Sequence, residues 1–305
     1  MLGTFNWACV CISSALALFL AQPPASHEPE SPQGQFNLGF ELAKSGRPKD
    51  AIDHLQRASA DPALASESLY LLGACYFQLG RYPNAIASLD GLTNGSRADH
   101  VLYMLEESHR LLNHQPEARE AFRQLNRRFP DSAWTHYLLA NAYEQQAQYD
   151  QAIAEYTAAL ARDPHLPNAP FAIGYMFWRQ QDLDNAKTWF EKELAAQPCH
   201  ALASFYLGQI ARAGQDWTDA AKNFRRSLAC DDTSSETHLR LGMTLTELNQ
   251  DQEALRELRR AAQLAPENPT AHYRLAVLYK KLGRTAESQA EYDTLKRIQS
   301  KEAKP

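Results

Sequence analysis

Apolar and small residues recur at helical spacing along YLLANAYEQQAQYDQAIAEYTAALARDP, from Tyr137 to Pro164, at Leu138, Ala142, Ile153, Tyr156, Ala159 and Leu160. The pattern predicts two short amphipathic helices joined by a polar turn and stopped by a proline. Neither helix could bury its own stripe. A shift of 34 residues finds the pattern again, as FAIGYMFWRQQDLDNAKTWFEKELAAQP from Phe171 to Pro198. Such a period predicts hairpins that bury their apolar faces by stacking on one another.

Laid end to end, eight blocks start near Pro32, Ser66, Asp99, Ala133, Pro167, Ala201, Ser235 and Pro269, with one single-residue deletion before the third. The eighth place of each reads Gly39, Gly73, Glu106, Ala140, Gly174, Gly208, Gly242 and Ala276. The twentieth reads Ala51, Ala85, Ala118, Ala152, Ala186, Ala220, Ala254 and Ser288. Small side chains at both places let the two helices of a block approach closely. A knob follows at the twenty-fourth place, as Leu55, Leu89, Phe122, Tyr156, Phe190, Phe224, Leu258 and Tyr292. Pro62, Pro130, Pro164, Pro198 and Pro266 end most blocks and stop the second helix.

These residues, with Leu71, Gly73 and Tyr76 or Leu207 and Gly208 as instances, resemble the tetratricopeptide repeat family over about 270 of the 305 residues. The resemblance implies an all-α fold, a right-handed α-solenoid of tandem helix-turn-helix units. First helices would line a concave groove and second helices an outer wall. The organisation expected is an N-terminal segment over 1–21, a linker over 22–34, the solenoid over 35–299 and a polar tail over 300–305.

The family's second, fifth, ninth and twelfth places usually face the groove. The fifth places read Phe36, Tyr70, Tyr103, Tyr137, Phe171, Phe205, Leu239 and Tyr273, which implies an aromatic ladder. Trp134, Tyr175 and Trp178 stand nearby, with Asn141 and Gln209 at ninth places. Towards the C-terminal end Arg212, Arg240, Arg274 and Lys280 make the expected groove cationic, suited to an acidic segment of a partner. The clamp by which some family members hold chaperone tails needs Lys at a fifth place, and none stands there. The last second helix, from about Ala286 to Gln299, has no separate capping helix after it, which leaves open self-association or an end that caps itself through Tyr292 and Leu295.

Composition narrows the partner class. Lys and Arg number 31 against 36 Asp and Glu, a formal charge of -5, which argues against a dedicated nucleic-acid surface. An apolar run from about Phe5 to Ala21 precedes a stretch rich in Pro, Ser and Glu. It reads as an export signal, giving a periplasmic or extracellular protein, or as an uncleaved N-terminal anchor that would be its one link to a membrane. Of five cysteines, Cys75 reads as a core residue, while Cys199 and Cys230 fall near turns of adjacent repeats. Those two form a disulfide or remain reduced according to compartment.

Catalytic chemistry finds no foothold. No HExxH, GxSxG, phosphate-cradling loop or dinucleotide fingerprint occurs, and no cofactor or metal set is expected. His136, His238 and His272 all occupy a fourth place and read as packing residues. The third block departs from the pattern with Glu106 at the small place and His109 three residues on, a spacing that lets them share a face as an ion pair or a pH-sensitive hinge. The reading is a non-catalytic, exported scaffold that holds a protein or peptide segment in its groove, in cell-envelope assembly or secretion. The alternatives are a scaffold that uses its outer wall and edges, and an enzyme for which the repeats leave no catalytic domain.

Overall fold

The structure, a computed structural model, describes residues 30–302. The expected N-terminal segment and most of the linker lie outside the described residues. Every regular element among those described is helical. The chain divides into two units, one ending at Met176 and one beginning at Phe177.

In the first unit, α1 (Pro32–Lys44) pairs with α2 (Pro48–Ala58), α3 (Ala65–Gln78) with α4 (Tyr82–Leu89), α5 (Ala98–Leu111) with α6 (Gln115–Arg128), and α7 (Ala133–Gln145) with α8 (Tyr149–Arg162). Helix α9 (Ala169–Arg179) begins in this unit. In the second, α10 (Leu183–Ala196) packs on α11 (Ala201–Ala213). There α11 pairs with α12 (Trp217–Cys230), α13 (Ser235–Glu247) with α14 (Asp251–Leu264), and α15 (Pro269–Lys281) with α16 (Thr285–Glu302). Each unit is a run of α-solenoid hairpins.

One approach recurs in four of the hairpins. A Cβ added to Gly208 would lie 2.6 Å from Phe224 Cε1, and one added to Gly242 would lie 2.7 Å from Leu258 Cγ. Gly39 meets Leu55 and Gly73 meets Leu89 in the same way. The eighth place is therefore small because the twenty-fourth-place knob of the second helix fills the space a side chain would need. Leu55, Leu89, Tyr156, Phe190 and Phe224 are fully buried.

Turn chemistry is equally periodic. Gly46, Gly80, Asn113, Ala147, Gln181, Gln215, Asn249 and Gly283 stand one block-length apart, and all have φ between 56° and 75°. The following N–H reaches the carbonyl five residues back, as in Arg47 to Leu42, Gln148 to Tyr143 and Arg284 to Tyr279, each at 2.9 Å or less. This is a Schellman ending, and the left-handed residue lets the chain reverse into the second helix.

His136, His238 and His272 do more than pack. Each places Nδ1 against a glutamate 19 residues on, His136 at 2.6 Å from Glu155, His238 at 2.7 Å from Glu257 and His272 at 2.6 Å from Glu291. Gln35 and His54 make the same tie with the roles exchanged, at 2.7 Å. The fourth place of the first helix thus bonds the twenty-third place of the second. The pairing was visible in the sequence as a matched His and Glu, a signal that the packing reading passed over.

Ala147 is the one alanine in the left-handed set. Ala147→Gly should raise stability by about 1 kcal/mol, because an L side chain is strained there. Gly80→Ala should lower it by a similar amount, and urea denaturation of the two variants checks both signs.

Candidate interaction surface

The expected aromatic ladder of the first unit is closed on itself. Tyr70, Tyr103, Trp134, Tyr137 and Phe171 are all buried. Trp134 stacks across both His100 and Tyr103, with ring centroids 4.3 Å from each, and Tyr137 meets Tyr103 edge-on at 5.8 Å. The Tyr70 hydroxyl lies 2.6 Å from His100 Nδ1. A fifth-place ring here covers the second and fifth places of the next first helix, so it serves the stack between hairpins and leaves little surface for a partner. Asn141 is half-buried and accepts the Tyr156 hydroxyl at 2.6 Å. Tyr175 is half-buried and stacks on Phe171 at 6.3 Å.

Burial also sets the charge of this core. The His100 ring is pushed down to about 3 by desolvation, with the Arg97 charge adding to it, so it stays neutral. Glu106 is pushed up to about 8 by burial and then by the neighbouring Glu107 carboxylate, against the opposing pull of Arg110. Arg110 forms its ion pair with Glu107. Glu106 Oε2 and His109 Nδ1 are buried without a hydrogen-bond partner, so the expected bond between these two residues is absent. Burial lowers His109, with His114 adding to the effect while Glu117 and Asp90 oppose it.

The second unit keeps more of its first-helix face open. Phe205, Gln209, Arg212 and Arg240 are half-buried, while Tyr273, Arg274 and Lys280 are exposed. Trp178 packs on Tyr206 at 4.9 Å. Arg212 donates from Nε to Gln209 Oε1 at 3.2 Å, and Arg240 pairs with Glu236 at 2.6 Å. Burial first, then the charges of Arg240 and Arg274, hold the Arg212 guanidinium below its usual value, with Glu236 opposing. Guanidinium groups from α11, α13 and α15 therefore share one electrostatic neighbourhood.

In this unit, α10, α11 and α12 line a half-open cavity of about 670 Å³. Leu194, Leu207 and Ile210 are among its apolar lining residues, and Lys187, Lys222 and Glu191 among its charged ones. Close by, Cys199 and Cys230 form a disulfide with a Cα–Cα distance of 5.4 Å, tying the turn before α11 to the end of α12. Cys75 is buried, and desolvation pushes its thiol up to about 12.

Tandem helical hairpins of this length, closed by a small residue against a knob, define an α-solenoid of repeat units. Models described as tetratricopeptide repeat match residues 27–99, 112–167, 137–199, 171–235 and 269–302, and one described as TPR repeat matches 242–283. The chain belongs to the tetratricopeptide repeat family.

Among solved structures it is similar to YrrB, described as a TPR protein with an unusual peptide-binding site, at 22% identity and a TM-score of 0.52 over 59% of this chain and 93% of that one. It is also similar to MamA, at 17% identity and a TM-score of 0.51 over 54% and 97%. MamA residues 41 to the end from Desulfovibrio magneticus RS-1 give 15% identity and a TM-score of 0.52 over 56% and 97%. No curated protein matches by sequence. Residues 100–111, most of α5, fall between the matched ranges and contain Glu106.

Glu106 makes the third hairpin sensitive to pH in a defined direction. The folded chain keeps a proton that the unfolded chain releases above the usual 4.5, so stability falls as pH rises from there through about 8. Glu106→Ala, which restores the small residue found at Ala140 and Ala276, should remove that slope. Its advantage over wild type should grow by about 2–4 kcal/mol between the two ends of the window. Denaturation midpoints of both proteins across this range check it, with His109→Leu expected to leave the Glu106 slope in place.

Proposed function

We propose that the chain is a non-catalytic scaffold that holds an acidic segment of a partner protein across the first-helix face of its second unit, in cell-envelope assembly or secretion. The observation that carries this reading is the neighbourhood of Arg212, Arg240 and Arg274, contributed by three successive first helices and offset locally by Glu236 alone among the carboxylates acting on Arg212. A run of carboxylates extended along that face would meet each guanidinium in turn. Phe205 and Met243, partly buried, stand on two of the same first helices, α11 and α13. The likeness to a TPR protein with a peptide-binding site supports the class of ligand.

Export is supported by the disulfide, since such bonds persist where the compartment is oxidising. The N-terminal apolar run is the matching sequence feature. No helix among the described residues is long and apolar enough to cross a membrane.

The cavity bounded by α10, α11 and α12 favours a second reading, in which a partner engages the second-helix side. Crosslinking and mass spectrometry on wild type, on Arg212→Glu with Arg240→Glu, and on Lys187→Glu with Lys222→Glu separates the two. The first pair should lose the partner by tenfold or more in recovered crosslinks, and the second pair should retain it. The reverse pattern assigns binding to the cavity side, and loss in neither overturns both. Trp134→Ala is unsuited to this purpose, because the ring is buried in the stack and its removal destabilises the fold by about 3–5 kcal/mol.

A further inference from the structure

Large hydrophobic residues exposed among those described are four: Leu38, Leu111, Tyr273 and Val277. Three of them lie on the two terminal hairpins, at places that are covered elsewhere. The fifth place is 2–6% exposed at Tyr70, Tyr103, Tyr137 and Leu239, but 46% at Tyr273. The seventh place is at most 7% exposed at Leu72, Leu105, Ile173, Leu207, Leu241 and Leu275, but 43% at Leu38. Met243, at the ninth place, packs against the buried cluster of the second unit, whereas its equivalent Val277 is 40% exposed.

The interior hairpins show what normally covers these places. Tyr103 seats on Trp134 and Tyr137, and Tyr70 on His100, so a fifth-place ring is covered by the second and fifth places of the following first helix. Helix α15 has no following first helix among the described residues. Helix α1, whose second and fifth places are Gln33 and Phe36, has no preceding hairpin among them. The two ends are the open halves of one interface, which the chain already builds several times within itself. Ile298 is buried, so α16 packs on its own hairpin, yet it leaves Tyr273 and Val277 uncovered.

We propose that copies of this chain associate head to tail, with the α15 face of one copy, bearing Tyr273 and Val277, seated on the α1 face of the next, bearing Phe36 and Leu38. Side-chain charge is compatible with that pairing. Helix α15 carries exposed Arg274 and Lys280 and no acid, its Lys281 being paired with Asp251, and Glu30 and Glu41 are exposed at the other end, with Lys44 one turn further. The contact is heterologous, so each added copy leaves one head and one tail free, and association continues until the ends meet or the supply is exhausted. This assembly shares Arg274 with the proposed partner-binding face but rests on Tyr273, Val277, Phe36 and Leu38, so Arg212→Glu with Arg240→Glu, which disrupts that face, should leave the association in place.

Light scattering after gel filtration, over a range of loading concentrations, tests it with the whole chain. Wild type should pass from one chain mass to multiples of it as concentration rises. Leu38→Glu alone, and Tyr273→Glu with Val277→Glu alone, should each still pair through the one sound end left to every copy only if a complementary end is offered, and so remain at one chain mass. An equimolar mixture of the two variants should give a species of two chain masses and no larger one, because it contains one sound head and one sound tail. All three substituted residues are exposed, and unchanged circular dichroism and melting establish that the variants fold. Wild type at one chain mass throughout, a mixture that stays unpaired, or one variant that still self-associates would each overturn the proposal.

Discussion

Everything in this chain depends on how closely the two helices of a hairpin approach. Gly39, Gly73, Gly208 and Gly242 sit where a Cβ would collide with the knob of the second helix, and the alanines of the twentieth place are buried in nearly every hairpin. That approach fixes the hairpin angle, and the left-handed residue of each turn fixes the reversal that makes it reachable. Where the rule is broken, electrostatics shows the strain. Glu106 occupies a small place, its carboxylate lacks a partner for Oε2, and desolvation keeps it protonated to about pH 8.

The same geometry sorts the aromatic residues into two classes. In the first unit, the fifth-place rings of Tyr70, Tyr103, Tyr137 and Phe171 are consumed by the stack between hairpins, with Trp134 laid across His100 and Tyr103. They make a rigid wall. In the second unit the sixth places of α13 and α15 carry Arg240 and Arg274, where the first unit has Asn37, Leu71, Met104, Leu138 and Ala172, so cationic side chains reach the surface. Arg212 and Arg240 are half-buried while Arg274 is exposed, a graded cationic strip suited to carboxylates. Binding chemistry and packing chemistry thus occupy different parts of a chain whose local sequence pattern is nearly uniform.

Ties between helices add specificity to the shape. The bonds of His136, His238 and His272 to glutamates 19 residues on hold the first turn of one helix to the middle of the next. Gln56 to the Tyr76 hydroxyl and Arg259 to the Tyr279 hydroxyl link neighbouring hairpins, at 3.0 Å and 2.7 Å. The disulfide between Cys199 and Cys230 closes one hairpin covalently beside the cavity of the second unit. Each of these is a polar or covalent device laid over an apolar stack that already determines the fold.

The period, the small places, the knobs and the proline stops are local in sequence, which is why the helical hairpins were legible without coordinates. Hairpin geometry follows from residues fewer than 34 apart, and each block states it again. The turn residues were equally available, although Gln181 and Gln215 do not announce a left-handed backbone as glycine does. What lay beyond reach was exposure. Whether Tyr137 faces a partner or Tyr103, whether Glu106 is solvated or buried, and whether Tyr273 is covered depend on the neighbouring hairpin, and each of these residues looks the same in the sequence either way. Burial is a property of the assembled stack, so only the tertiary structure separated the wall from the working face.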